Sequence, residues 1–184
     1  MSETEFVARV RLARADDDEF ILGLADRFVA FELPPWRKRS ETLTGIRSDI
    51  ARHLRDLPPA SHLFVAEVEL GDSRARASHG GRAEDAPGMA SGEIVERVGF
   101  LHLQTQTDFF IGGLNCHISD LVVAPEHDGK GVGTALLRYA DRWAKEHRCR
   151  HVTLAVFPGN ERARKLYEHH GYGVETLRMA KPVK

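Results

Sequence analysis

Several things are scarce in this sequence. Its 184 residues include two cysteines, Cys116 and Cys149, enough for at most one disulfide. A chain this long with so few is read as an intracellular protein with reduced thiols, not a disulfide scaffold. Net charge is also scarce: 26 basic and 27 acidic side chains leave −1. That excludes a global field drawing the chain to nucleic acid or an anionic membrane. Arg and Lys are scattered through 9–14, 37–39, 74–82 and 142–150 without forming a long basic block. No apolar run is long enough to span a bilayer, and the opening MSETEFVARVRLARADDDEF has no apolar stretch of a secretory leader. No internal repeat is visible. The expectation is a soluble cytoplasmic protein with no nucleic-acid or membrane partner, folded as one domain over 1–184.

What is present is patterned. Phe6–Leu12 alternates and predicts a first strand. Asp16–Asp18 places acids at a helix start, and Phe20, Ile21, Leu24 and Phe28 recur at helical spacing up to Leu33-Pro34-Pro35. Ser40 is a candidate N-cap for a second helix with Leu43, Ile46, Ile50, Leu54 and Leu57 on one face, stopped by Pro58-Pro59. Leu63–Leu70 predicts a strand. Residues 71–92, rich in Gly, Ala, Ser and Arg, have almost nothing to bury and read as a mobile insertion. Strands follow at Ile94–Leu103 and Cys116–Val123, a helix bears Leu136, Tyr139, Ala140, Trp143 and His147, then come a strand at Val152–Phe157 and a helix at Asn160–His170 closed by Gly171. Val174–Met179 predicts a last short strand. The order β-α-α-β-β-β-α-β-α-β implies an α+β fold, with a mixed, mostly antiparallel sheet and helices on both faces.

The densest information lies in Leu121–Ala135, LVVAPEHDGKGVGTA. A strand runs into a loop with glycines at 129, 131 and 133, and the loop runs into a helix. Backbone N–H groups at such a helix start form a natural pocket for a pyrophosphate. The Walker pattern is absent, since no Gly-Lys-Ser/Thr opens the helix, and so is the GxGxxG of dinucleotide folds.

Asp128-Gly129-Lys130-Gly131-Val132-Gly133 resembles the acetyl-CoA-binding motif of the GCN5-related N-acetyltransferase (GNAT) superfamily, Arg/Gln-x-x-Gly-x-Gly/Ala. A second motif follows in NERARKLYEHHGY, with Asn160, Ala163, Tyr167, Gly171 and Tyr172 at the family's spacing. The resemblance covers roughly residues 94–180. It implies the family's acyl-CoA fold, in which two parallel strands splay apart, here Cys116–Val123 and Val152–Phe157. It implies acetyl-CoA as acyl donor, with its pyrophosphate on the amides of Gly129, Lys130, Gly131, Val132, Gly133 and Thr134. The pantetheine arm would lie along Leu121, Val122 and Val123, with the Val123 N–H polarising the thioester carbonyl. Asn160, Ala163 and Tyr167 would face the cofactor from the last helix. Asp128 departs from the family's Arg or Gln, and is expected to point to solvent.

The implied reaction moves acetyl from a thioester to an amine, which requires a base for the ammonium and an acid for the leaving thiolate. Tyr167 is the candidate acid. Many relatives carry a Glu where this chain has Ser119, which can order a water but is no base. His117 shares the strand parity of Ser119, Leu121 and Val123, and imidazole titrates near neutrality. It is placed ahead of Asp120, which regular alternation sends to the other face unless a bulge intervenes. His127, His147, His151, His169 and His170 lack metal-ligand spacing and are read as surface or capping residues, with no metal. The acceptor is expected over FELPPWRKRSET and the loop of Phe109 and Phe110, with Phe31 and Trp36 as candidate wall residues. Arg37-Lys38-Arg39 is expected to be a solvated face. The resemblance implies an N-acetyltransferase acting on a small amine or a peptide amino group, in a fold that often supports homodimers. A non-catalytic acyl-CoA-binding module is the alternative, kept open by Ser119.

Overall fold

The computed structural model describes residues 8–70 and 95–183. The first two residues of the first predicted strand and the 71–92 segment lie outside the described residues. Five strands form one sheet in the order β1-β2-β3-β4-β5: β1 Arg9–Leu12, β2 Ser61–Glu69, β3 Val95–Thr107, β4 Leu114–Val123 and β5 Val152–Leu154. The first four are antiparallel neighbours, and β4–β5 is the one parallel pair. Helices α1 (Asp18–Gly23) and α2 (Arg39–Arg55) cover one face; α3 (Val132–Glu146) and α4 (Glu161–His169) cover the other.

Two cores follow from this layering. On the α3 side, Val132, Leu136, Leu137, Ala140, Trp143 and Ala144 recur every three or four residues and pack on Phe64, Leu101, Leu103, Cys116 and Ile118. Full burial of a side chain such as Leu136 contributes about 1.5–3 kcal/mol. On the other side Ile21, Leu24, Ala25 and Ile50 meet Val65, Phe100 and Val122. Strands β2 and β3 are buried on both faces through their centres, which explains their continuous apolar character.

A charged knot secures β1 against this sheet. Asp17 is fully buried and accepts from Arg11 Nη1 at 2.7 Å, Arg97 Nε at 2.6 Å and the Arg14 amide at 2.7 Å; Arg11 also pairs with Glu67. Burial alone would raise the Asp17 carboxyl, but these donors hold it down at about 2.

Several predicted elements differ: β3 runs to Thr107 rather than Leu103, and the first helix ends at Gly23 and continues as a 3-10 helix over Leu24–Val29. Helix α2 begins at Arg39, with Lys38 rather than Ser40 at the N-cap and no side-chain cap; Leu57 falls beyond its end and is exposed. The Val152–Phe157 strand is cut to three residues. Val174–Met179 forms no strand: β5 is the edge of the sheet, and Val174, Leu177 and Met179 find nothing to bury against. The observed order among the described residues is therefore β-α-α-β-β-β-α-β-α.

Candidate active site

The site is organised by an irregularity in β4. Leu103 pairs with Ile118 and His102 with Asp120, which leaves Ser119 as an extra residue on the β4 side. An inserted residue flips the alternation of everything after it. Cys116 and Ile118 face the α3 core before the bulge, and Leu121 and Val123 face it afterwards. His117 therefore shares its side with Asp120 and Val122, not with Leu121 and Val123, which corrects the parity expected from regular alternation.

Beyond the bulge β4 loses its second neighbour. Pairing with β5 stops at Ile118↔Leu154, while pairing with β3 continues to Val123. Among the described residues, 119–123 thus present one free backbone edge, as the predicted splay requires. The side chain of Val122 is buried in the α1–α2 core, so only its backbone belongs to this edge.

The glycine loop follows directly. Gly129 and Gly131 have φ +79° and +84°, with nothing within 4 Å of where a Cβ would stand. These backbone angles favour glycine, and the space over the loop is open to a ligand. Gly131 is the N-cap of α3, so the amides of Val132, Gly133 and Thr134 begin the helix without intrahelical acceptors. Lys130 is exposed beside them. A Cβ on Gly133 would stand 2.9 Å from Leu166 Cδ2, so the glycine lets α4 pack close to the start of α3.

Asp128 does not point to solvent. Both of its oxygens accept from Arg27 Nη2 at 2.8 Å, and Oδ2 also accepts from Arg162 Nη1 at 2.5 Å. The carboxylate joins the 3-10 helix Leu24–Val29 to the first turn of α4.

On α4, Asn160 is the N-cap, its side chain accepting from the Ala163 amide at 3.3 Å. Tyr167 packs against the α3 core with its ring centroid 5.8 Å from that of Tyr172, and burial pushes its phenol up to about 12. It stays protonated throughout the neutral range, the state required of a proton donor.

His117 Nδ1 lies 3.0 Å from Thr153 Oγ1, and burial pushes the imidazole below its usual range. Asp120 retains 22 % of its side-chain exposure and bonds His102 Nδ1 at 2.9 Å. His102 is 1 % exposed, its Nε2 has no partner among the described residues, and its ring centroid lies 5.1 Å from that of His53. His102, Arg27 and Arg162 were not anticipated from sequence. Only the position of His102 opposite Asp120 could have exposed it, and that required the bulge.

An open groove of about 520 Å³ lies over α2, lined by Trp36, Arg37, Lys38, Glu41, Ile46 and Phe157. The ring centroids of Phe31 and Phe157 lie 5.8 Å apart at a tilted angle and the Arg37 guanidinium lies 5.5 Å from the Phe157 ring, while Arg37, Lys38 and Arg39 are all exposed, as expected of a solvated face. Phe109 and Phe110 are not in this wall. They sit edge-to-face on one another at the β3–β4 hairpin tip, Phe109 93 % exposed. His127 is buried with Nε2 3.1 Å from Glu96, a correction to its reading as a surface residue; His147 and His170 are helix C-caps.

The sequence profile of the Acetyltransferase (GNAT) family matches residues 49–172. The chain belongs to the acetyltransferase (GNAT) family. Acetyl-CoA is the acyl donor of GNAT enzymes, and the open glycine cradle and free β4 edge fit such a donor. The chain is 31% identical over 86 residues to bovine (Bos taurus) thialysine N-epsilon-acetyltransferase, covering 47% of this chain and 49% of that protein. It thus spans about half the length of that relative. It is 29% identical over 168 residues to streptothricin acetyltransferase of Streptomyces lavendulae, covering 88% and 79%. A solved structure of a putative acetyl transferase from Pyrococcus furiosus shares the GNAT fold, with TM-score 0.65 and 23% identity over 96% of this chain and 100% of that one. No helix among the described residues is long and apolar enough to cross a membrane.

Proposed function

We propose that the protein transfers acetyl directly from acetyl-CoA to the amino group of a small molecule or peptide. The observation that carries this reading is the free β4 edge at 119–123, with the open glycine loop at one end and the acidic side chain of Asp120 beside it. The relatives named for acetylation of thialysine and streptothricin support an amine acceptor. The groove over α2 supplies a place for it.

Each step falls to a residue of this chain. The amides of residues 129–134 hold the pyrophosphate, aided by the dipole of α3. The backbone of Leu121 and Val123 pairs with the pantetheine arm, and the Val123 N–H polarises the acyl carbonyl. Bound acetyl-CoA supplies the activated acyl group. Asp120 takes the proton of the incoming ammonium, its carboxylate held by His102; His117, bonded to Thr153 and pushed below the usual imidazole range by burial, lines the same face. Tyr167 gives its proton to the departing thiolate. Burial raises the Cys116 thiol to about 12 and raises Cys149 for the same reason, which favours direct transfer over a thiol relay. We place the protein in the cytoplasm.

Thiol release from acetyl-CoA across a panel of small amines and peptides tests the reading. Amine-dependent release supports it; CoA binding with no turnover on any amine would favour the non-catalytic acyl-CoA-binding alternative.

A further inference from the structure

The family's loop opens on Arg or Gln, whereas this chain has a carboxylate there, next to where a pyrophosphate belongs. Taken alone, that charge is repulsive. Asp128 is not alone: Arg27 chelates both its oxygens at 2.8 Å and Arg162 meets Oδ2 at 2.5 Å. The cluster sums to one positive charge, the charge a single arginine would bring. Two guanidinium groups so close would repel without a counter-ion between them. Each guanidinium has five N–H donors, and the carboxylate engages one nitrogen of each; among the described residues, Arg27 Nε and Nη1 and Arg162 Nε and Nη2 meet no acceptor in or around the cluster. Arg162 is 62 % exposed at the first turn of α4, while Arg27 and Asp128 are largely covered. The arginines are anchored on Asp128, the residue directly before Gly129, where the loop with its open space over Gly129 and Gly131 begins.

We propose that Arg27 and Arg162 form a phosphate clamp on acetyl-CoA, and that Asp128 is the residue that positions them. The inference rests on acetyl-CoA as the donor. Planar guanidinium groups suit phosphate oxygens, and holding two flexible side chains ready in advance removes part of the ordering cost of binding. Asp128 bonds the arginines; the arginines bond the phosphate.

The test is calorimetry of CoA, with phosphate-free pantetheine as the second ligand. Arg162→Gln, on an exposed side chain, leaves the fold intact and is expected to weaken CoA roughly tenfold, reduce the salt dependence of its affinity and leave pantetheine unchanged. Arg27→Gln acts in the same direction. Asp128→Asn is the sharper variant: it weakens CoA in the native background, where it disorganises the clamp. It tightens CoA in the Arg27→Gln/Arg162→Gln background, where it removes repulsion only. CoA affinity unchanged in Arg162→Gln, or Asp128→Asn tightening CoA in both backgrounds, overturns the clamp while leaving acetyl-CoA as donor. A native protein that binds no CoA overturns both.

Discussion

Replacing Asp120 with Asn isolates the proton-accepting step with little change of shape. The amide oxygen still accepts from His102 Nδ1, so the 2.9 Å contact persists as a neutral hydrogen bond. Exchanging a charged for a neutral acceptor costs about 1 kcal/mol, since bonds to charged groups contribute ~1.5–3 kcal/mol and neutral ones ~1. In a chain of this size that lowers Tm by roughly 2–4 °C. Loss of a general base costs far more, about 10²–10⁴-fold in rate, or ~3–5 kcal/mol of barrier. The assay is steady-state thiol release with the best amine, alongside calorimetry of CoA. Asp120→Asn is expected to lose at least about 10²-fold in kcat/KM for the amine, with CoA affinity and fold essentially kept. His117→Ala serves as the control and is expected to retain most of its rate. If Asp120→Asn kept more than about a third of native kcat/KM, or if His117→Ala showed the large loss instead, the assignment of the base to the bulge would be refuted.

Three other perturbations bear on separate parts of the account. Tyr167→Phe removes the proton donor and is expected to lower kcat by on the order of 10²-fold with CoA affinity unchanged, measured by the same thiol assay. Gly131→Ala forces a Cβ onto a backbone at φ +84° and should cost about 1–2 kcal/mol, read as a Tm fall and a raised KM for acetyl-CoA. Asp17→Asn breaks the buried knot with Arg11 and Arg97 and should cost ~3 kcal/mol in urea denaturation at neutral pH. The folded Asp17 carboxyl is lowered from 3.8 to about 2, so its stabilisation is complete above 3.8 and fades as pH falls toward 2; the acid limb of the stability curve should flatten in the variant.

The parts of this molecule legible in sequence are those governed by local rules. Alternating glycines before an amphipathic helix announced a strand–loop–helix, and Gly129 and Gly131 do hold left-handed angles. Asn160 was readable as an N-cap because capping spans only three residues. What escaped depends on distant partners. Asp128 lies 101 residues from Arg27 and 34 from Arg162, so nothing near it in the chain revealed its pairing. The face of His117 was misread because one extra residue, Ser119, reverses the alternation, and that insertion exists only relative to β3. Val174–Met179 carries a strand pattern without a strand beside it, since alternation describes a face but does not provide a neighbour. His102 is set apart only by its pairing opposite Asp120, which depends on strand register and not on neighbours in the chain.

The central claim is direct acetyl transfer from CoA to an amine at the free edge of β4. Mass spectrometry after a single turnover with isotopically labelled acetyl-CoA tests it most directly. The account predicts an unmodified protein when acetyl-CoA is added alone, and label on the amine, equal to the thiol released, once an acceptor is present. Label retained on Cys116, Cys149 or any other side chain before the amine is added, and then passed on, would contradict it.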